Sequence, residues 1–166
     1  MASNLKNLSS YKKEETPSAS GMLFGIVVSE WNTEITDALL EGAHRTLKEH
    51  GAKEKDIIVK YVPGSFELTM GAQIVIDSMI PDAVICLGCV IQGETRHFEF
   101  ICNTVANGIM QLSLDNDVPV IFGVLTTNDL QQAKDRSGGK HGNKGVEAAI
   151  AAIKMVALQD EMQEDE

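Results

Sequence analysis

The run Gly88-Cys89-Val90-Ile91-Gln92-Gly93-Glu94-Thr95-Arg96-His97 brings two glycines, a thiol, a carboxylate, a hydroxyl and an imidazole into one short stretch. The glycines allow the backbone to turn sharply and to offer N–H groups to an anion near a helix N-terminus, so a phosphate would fit here. The spacing imitates the GxxxxGK[ST] loop of nucleotide-binding proteins, but Glu94 stands at the lysine position and would repel a nucleotide's phosphates. ATP and GTP are excluded on that residue. The imidazole of His97 could exchange protons with whatever the loop holds; the alternative is a surface histidine in a first helical turn.

Other segments carry chemistry of different kinds. Trp31, the single tryptophan, falls at a loop mouth where its ring could stack on a planar ligand or merely cap the core. Pro63 and Gly64 set a tight turn that presents Phe66 and Glu67 at a helix start, where Glu67 could bind a ligand or favour the helix dipole. Cys86-x-x-Cys89 has the spacing of a thiol redox pair or half a zinc site. However, Cys86 belongs to a strand and no second pair completes four ligands. Cys102 reads as packing within a helix. Between Lys134 and Lys144 the chain reverses its overall sign, with Lys134, Arg136, Lys140 and Lys144 against the single acid Asp135. Arg136 offers a planar fork for a phosphate, whereas the bland alternative is a set of cations that favour the last turn of a helix from Asp129 to Arg136 and compensate acids elsewhere.

These segments need a scaffold that brings them to one rim. Short apolar runs at Met22 to Val28, Ile57 to Tyr61, Ala83 to Leu87 and Val120 to Leu125 predict four buried strands. Apolar residues of helical period separate them. Ile35, Leu39, Ala43 and Leu47 predict a first helix, capped by Asn32 or Thr33 and stopped at Gly51. Ile101, Val105, Ile109 and Leu112 predict another, Asp129 to Arg136 a short one, and Val146, Ile150, Ile153 and Ala157 the last. Phe66 to Ile76 alternates like a strand, but parallel neighbours need a crossover, so a helix is expected. Such a sheet is covered on both faces and binds ligands at the carboxyl ends of its strands.

A chain of 166 residues suits one domain, and no apolar run reaches the length of a membrane span. The net charge of −10, with no basic run interleaved with aromatics, argues against nucleic acid as a partner. Three cysteines and no apolar leader predict a cytoplasmic protein. Residues 1–20 and 159–166 are too polar to order themselves, and flexible tails are expected around a domain at 21–158.

Taken in order, five motifs resemble the lumazine synthase family from about Met22 to Leu158. They are Gly25-Ile26-Val27-Val28 with Trp31-Asn32; Val62-Pro63-Gly64-Ser65-Phe66-Glu67; Leu87-Gly88-Cys89-Val90-Ile91 with Gly93 and His97; Pro119 through Thr127; and Gly142-Asn143-Lys144-Gly145. The resemblance implies an α/β fold, a three-layer α/β/α sandwich on a four-stranded parallel sheet of flavodoxin-like order 2-1-3-4. It also implies condensation of 5-amino-6-(D-ribitylamino)uracil with 3,4-dihydroxy-2-butanone 4-phosphate to 6,7-dimethyl-8-ribityllumazine, phosphate and water, with no metal or organic cofactor. His97 would then give and take protons. Trp31, Ser65, Phe66, Glu67, Cys89, Val90 and Ile91 would hold the pyrimidine and its ribityl chain, with Phe122 covering the ring. Glu94 and Thr95 would supply backbone N–H groups to the phosphate, the Glu94 side chain pointing away, and Arg136 would bind the same phosphate. Phe122 and Arg136 would come from an adjacent subunit, which implies a homopentamer, and the short Gly138 to Asn143 connection suits a 60-subunit shell. The alternatives are a non-catalytic flavin- or pterin-binding protein and a storage cage on the same fold.

Overall fold

The computed structural model describes residues 7–164. All four expected strands form: β1 (Phe24–Ser29), β2 (Ile57–Val62), β3 (Ala83–Ile91) and β4 (Val120–Thr127). They pair in parallel in the order β2-β1-β3-β4, the expected three-layer α/β/α arrangement. Helix α1 (Thr33–Glu49) comes after β1, α2 (Leu68–Met79) after β2, and α3 (His97–Asn116) after β3. After β4 come α4 (Leu130–Arg136), a small antiparallel hairpin of β5 (Ser137–Gly139) and β6 (Gly142–Asn143), and the long α5 (Lys144–Glu164).

Side chains alternate across the sheet as the pleat requires. Phe24, Ile26, Val28, Ile85 and Leu87 face Leu39, Ala43, Leu47, Ala149 and Ile153 of α1 and α5. Val27, Val84 and Cys86 face Leu68, Ala72, Val105 and Ile109 of α2 and α3. The ambiguous stretch from Phe66 is helical, as the crossover demands: residues 65–67 make a 3-10 turn and α2 begins at Leu68.

Three local expectations need correction. The stretch Gly88 to Ile91 is strand rather than loop, because β3 keeps pairing with β4 through Cys89↔Leu125, Val90↔Thr126 and Ile91↔Thr127. Gly88 is therefore no turn residue; a Cβ there would lie 2.6 Å from Ser65 Oγ and 2.9 Å from Leu68 Cδ1, so its smallness lets the start of α2 sit on the strand. Asn32 stands at the start of α1, but with φ +64 and no side-chain cap; its amide reaches the other way, donating to the Cys89 carbonyl at 2.9 Å. Lastly, residues 7–20 lie on the domain instead of trailing from it. Leu8 is 6% exposed, Ala19 joins the core, and the Ala19 N–H donates to the His50 carbonyl at 2.8 Å. Few apolar groups are needed, because the segment's backbone finds partners on the domain. Tyr11 packs on His50 with ring centroids 5.6 Å apart, and burial, with Lys13 nearby, lowers the His50 pKa. At the other end α5 runs on to Glu164, with Gln159 Nε2 donating to the Asp117 carbonyl at 2.8 Å. Residues 1–6 and 165–166 of the expected tails lie outside the described residues.

The Gly142-Asn143-Lys144-Gly145 motif turns out to join α1 and α5. Asn143 donates its amide to the Ala38 carbonyl at 2.8 Å and accepts the Gly145 N–H at 2.8 Å, so one side chain starts α5 and fixes it to α1. A Cβ on Gly145 would fall 1.9 Å from the Leu39 carbonyl oxygen, a backbone atom that cannot swing aside. Gly145→Ala is therefore expected to lower the thermal midpoint by about 5–10 °C through overpacking. Gly93→Ala, where an added Cβ meets nothing within 4 Å, should leave it unchanged when both are measured at the same protein concentration.

Candidate active site

β1 and β3 are neighbours, yet they end at different heights. Pairing between them stops at Val28↔Leu87, after which β1 turns through Asn32 into α1 while β3 continues for four residues beside β4 alone. The step leaves a cavity of about 340 Å³ above the end of β1. Its wall is the exposed edge of Cys89, Val90 and Ile91. Trp31 and Asn32 come from the end of β1, Gly64, Ser65, Phe66 and Glu67 from the turn after β2, and His97 and Ile101 from the first turns of α3. The connections from β1 and β3 leave toward opposite faces of the sheet, so this is its topological switch point.

The geometry suits a flat ring with polar edges. Trp31 is 73% exposed and Phe66 55%, so two large apolar surfaces stand at the rim with nothing packed over most of their area. Ser65 is the opposite: its Oγ is fully buried and has no hydrogen-bond partner among the described residues. Such a group is normally satisfied, and a polar ligand atom in the cavity would satisfy it. His97 and Ile101, four apart on α3, present one face to the same space. The Cys89 thiol is pushed up to about 11 by burial and the Cys86 thiol to about 12, so neither is a ready thiolate for redox chemistry.

Glu94 and Thr95 are exposed, in the loop just before α3, and neither lines the cavity. Thr95 Oγ1 accepts the His97 N–H at 3.4 Å, occupying one donor of the helix start. Arg96 turns outward to Glu99, at 3.2 Å.

Phe122 and Arg136 are not brought to this cavity within the chain. They line a second hollow of about 200 Å³ at the end of β4, together with Thr127, Lys144 and Leu8, and the two hollows share no residue. Of the four cations between residues 134 and 144, three are paired: Lys134 with Glu34 at 2.8 Å, Lys140 with Asp135 at 3.1 Å, and Lys144 with Glu147. Hydrogen bonds from Gln131 and Lys140 hold the Asp135 carboxyl below its ordinary range. Arg136 alone of the four has no carboxylate partner among the described residues, where it donates only to the Gln132 carbonyl, at 3.0 Å. Compensation of acids thus describes the three lysines, whereas Arg136 bonds the last turn of its own helix and keeps further donors on its guanidinium.

Asn32, Gly64 and Ile101 belong to the cavity although sequence reasoning assigned them no role there, and Leu8 belongs to the second hollow. The spacing Asn32-x₅₆-Cys89 holds no local signal; only the parallel register of β1 against β3 makes the two meet.

Comparison with known proteins identifies the family. Residues 21–160 match the family of 6,7-dimethyl-8-ribityllumazine synthases. A protein of Cytophaga hutchinsonii named 6,7-dimethyl-8-ribityllumazine synthase is 60% identical over 95% of this chain and 98% of its own length. Proteins of the same name from Phocaeicola vulgatus and Parabacteroides distasonis are each 55% identical, over 98% and 94% of this chain and 97% and 98% of their own lengths. With a match that spans the whole sheet, every crossover helix and nearly all of both hollows, the chain belongs to the 6,7-dimethyl-8-ribityllumazine synthase family.

Proposed function

We propose that this protein condenses 5-amino-6-(D-ribitylamino)uracil with 3,4-dihydroxy-2-butanone 4-phosphate, releasing phosphate and water and forming 6,7-dimethyl-8-ribityllumazine on the route to riboflavin. The observation that carries the reading is the division of chemistry between two hollows. One is aromatic-rimmed, with a buried unpaired hydroxyl and a histidine; the other holds an arginine without a carboxylate partner among the described residues. A reaction that joins a planar heterocycle to a phosphorylated carbonyl compound needs both kinds of site. Neither hollow suffices alone.

In this reading Trp31 stacks on the pyrimidine and Ser65, Phe66 and Glu67 hold the ring and ribityl chain. Cys89, Val90 and Ile91 present backbone groups along the unpaired edge of β3. Imine formation, loss of phosphate and ring closure call for proton transfers and for neutralisation of phosphate charge, more than for a strong nucleophile. His97 moves the protons. Backbone N–H groups at Glu94 and Thr95 meet the phosphate from one side while the Glu94 carboxylate points to solvent, which avoids the repulsion it would otherwise exert. Arg136 meets the phosphate from the other side and Phe122 covers the ring.

Because the two hollows share no residue, we assign them to different copies, each site being closed by the Phe122 and Arg136 of a neighbour. A cyclic homopentamer supplies five such sites, and the short hairpin after α4 suits closure of pentamers into a 60-subunit shell. The setting proposed is the cytoplasm; among the described residues no helix is long and apolar enough to cross a membrane. A non-catalytic flavin- or pterin-binding role is not favoured, since the relatives compared are named as synthases and a neutral ring would leave His97 and Arg136 without a task.

Mixing purified protein with both substrates and following lumazine fluorescence tests the reaction; a rate no faster than the uncatalysed one would overturn it. Arg136→Ala should raise KM for the butanone phosphate by about tenfold or more while changing that for the pyrimidine little, as loss of a charge-assisted fork predicts. Equal effects on both would contradict its role. Assembly of His97→Gln with Arg136→Ala chains should restore activity to about a quarter of the sites, those where an intact His97 faces a neighbour's intact Arg136. A site contained in one chain would show no such recovery.

A further inference from the structure

The N-terminal segment reaches the arginine side of the site. Leu8 is almost fully buried and its side chain lines the hollow that holds Arg136 and Phe122, although more than a hundred residues separate Leu8 from either. Its N–H donates to the His141 carbonyl at 2.7 Å, and the His141 N–H donates in turn to the carbonyl of Asp135 at 2.8 Å, the residue before Arg136. Ser9 holds β6 of the hairpin, its Oγ accepting the Asn143 N–H at 2.9 Å. The Ser9 N–H is turned back on Asn7 Oδ1 at 2.8 Å, which fixes the direction of the segment as it crosses Gly142.

These contacts bear on Arg136 because α4 is held by the Asp129 cap, the buried Ala133 and the Lys134–Glu34 pair, all of which lie before Arg136. It is seven residues long, too short to be stable by itself, and Arg136 is its last residue. The hairpin after it has only five residues in its strands and is also too small to order itself. The backbone of Leu8 and the hydroxyl of Ser9 hold it from outside, in addition to the bond from Asn143 to the Ala38 carbonyl. Leu8 also adds an apolar residue to the lining of the hollow, and an anion bound to Arg136 beside an apolar wall would be attracted more strongly than in water.

We propose that Leu8 and Ser9 are positioning residues for Arg136: the segment clamps the hairpin that ends α4 and walls the hollow in which the guanidinium meets phosphate. The proposal rests on Arg136 being the phosphate ligand of the proposed reaction. It implies that the segment before the family-matched region, which starts at residue 21, tunes affinity for the phosphorylated substrate.

The test compares Leu8→Ala, Ser9→Ala and Leu8→Met in the full chain, reading KM for each substrate, kcat, and the affinity for inorganic phosphate by titration. Leu8→Ala should raise KM for the phosphorylated substrate and weaken inorganic phosphate binding by about fivefold, with kcat and the pyrimidine KM within about twofold of the parent. Leu8→Met, which keeps the volume, should restore both values, and Ser9→Ala should reproduce the loss in weaker form. Should Leu8→Ala fail to assemble, the Ser9→Ala and Leu8→Met pair decides by the same comparison. Unchanged phosphate affinity in both alanine variants, or equal loss toward both substrates, overturns the clamp. If the parent itself makes no lumazine, the proposed reaction fails, and the phosphate titration still decides whether the segment positions Arg136.

Discussion

The site exists because two paired strands stop at different heights. A parallel strand satisfies its backbone through both neighbours, and β3 has both only as far as Leu87. Beyond it, β4 still supports one edge while the other opens where β1 has already turned away. That open edge is a row of backbone groups in a largely apolar surround, which would be unfavourable to bury unpaired. Asn32 takes one of them, the Cys89 carbonyl, and adopts a left-handed backbone to do so. The remaining groups face the cavity.

That step dictates the rest of the layout. The residues just past the ends of β1, β2 and β3 must gather around it, because short connections cannot carry them far. This brings Trp31, the Gly64 to Glu67 turn and His97 to one place. Gly88 lets α2 sit close enough for Ser65 to reach inward, and the buried Ser65 hydroxyl is left without a hydrogen-bond partner among the described residues. β4 ends on the far side of β3, so Phe122 and Arg136 open onto different space. Geometry within one chain therefore separates the two chemistries, and assembly is what the proposed reaction needs to reunite them.

The region after β4 works by a different rule. Its elements are short, and they are held by side-chain and backbone bonds more than by buried area. Asn143 joins α1 to the start of α5, Asp129 caps α4 through the Gln132 N–H at 2.7 Å, and the N-terminal segment lies across the hairpin. Three lysines nearby are neutralised in pairs, and the cation without a carboxylate partner among the described residues is the arginine placed in the hollow. Such a region can be tuned by single hydrogen bonds without disturbing the sheet.

Apolar runs located every strand of the parallel sheet and helical periods located α1, α3 and α5, because burial leaves a period that the chain itself displays, whereas α2 followed only from the crossover that parallel neighbours require. The reactive types were legible as well: a histidine after a glycine-bearing loop, a lone tryptophan at a strand end, and an arginine in a locally basic stretch. Strand ends were less legible, since Gly88 to Ile91 are strand only because β4 continues beside them. The roles of Asn32 and Leu8 could not be read, as each depends on a contact between distant segments that no local pattern encodes. Composition also misjudged the N-terminal segment, where a polar stretch is ordered by hydrogen bonds to the domain. Which residue types were present was determined by sequence alone. Which of them face one cavity, and which are left to face another, was decided by the heights at which neighbouring strands end.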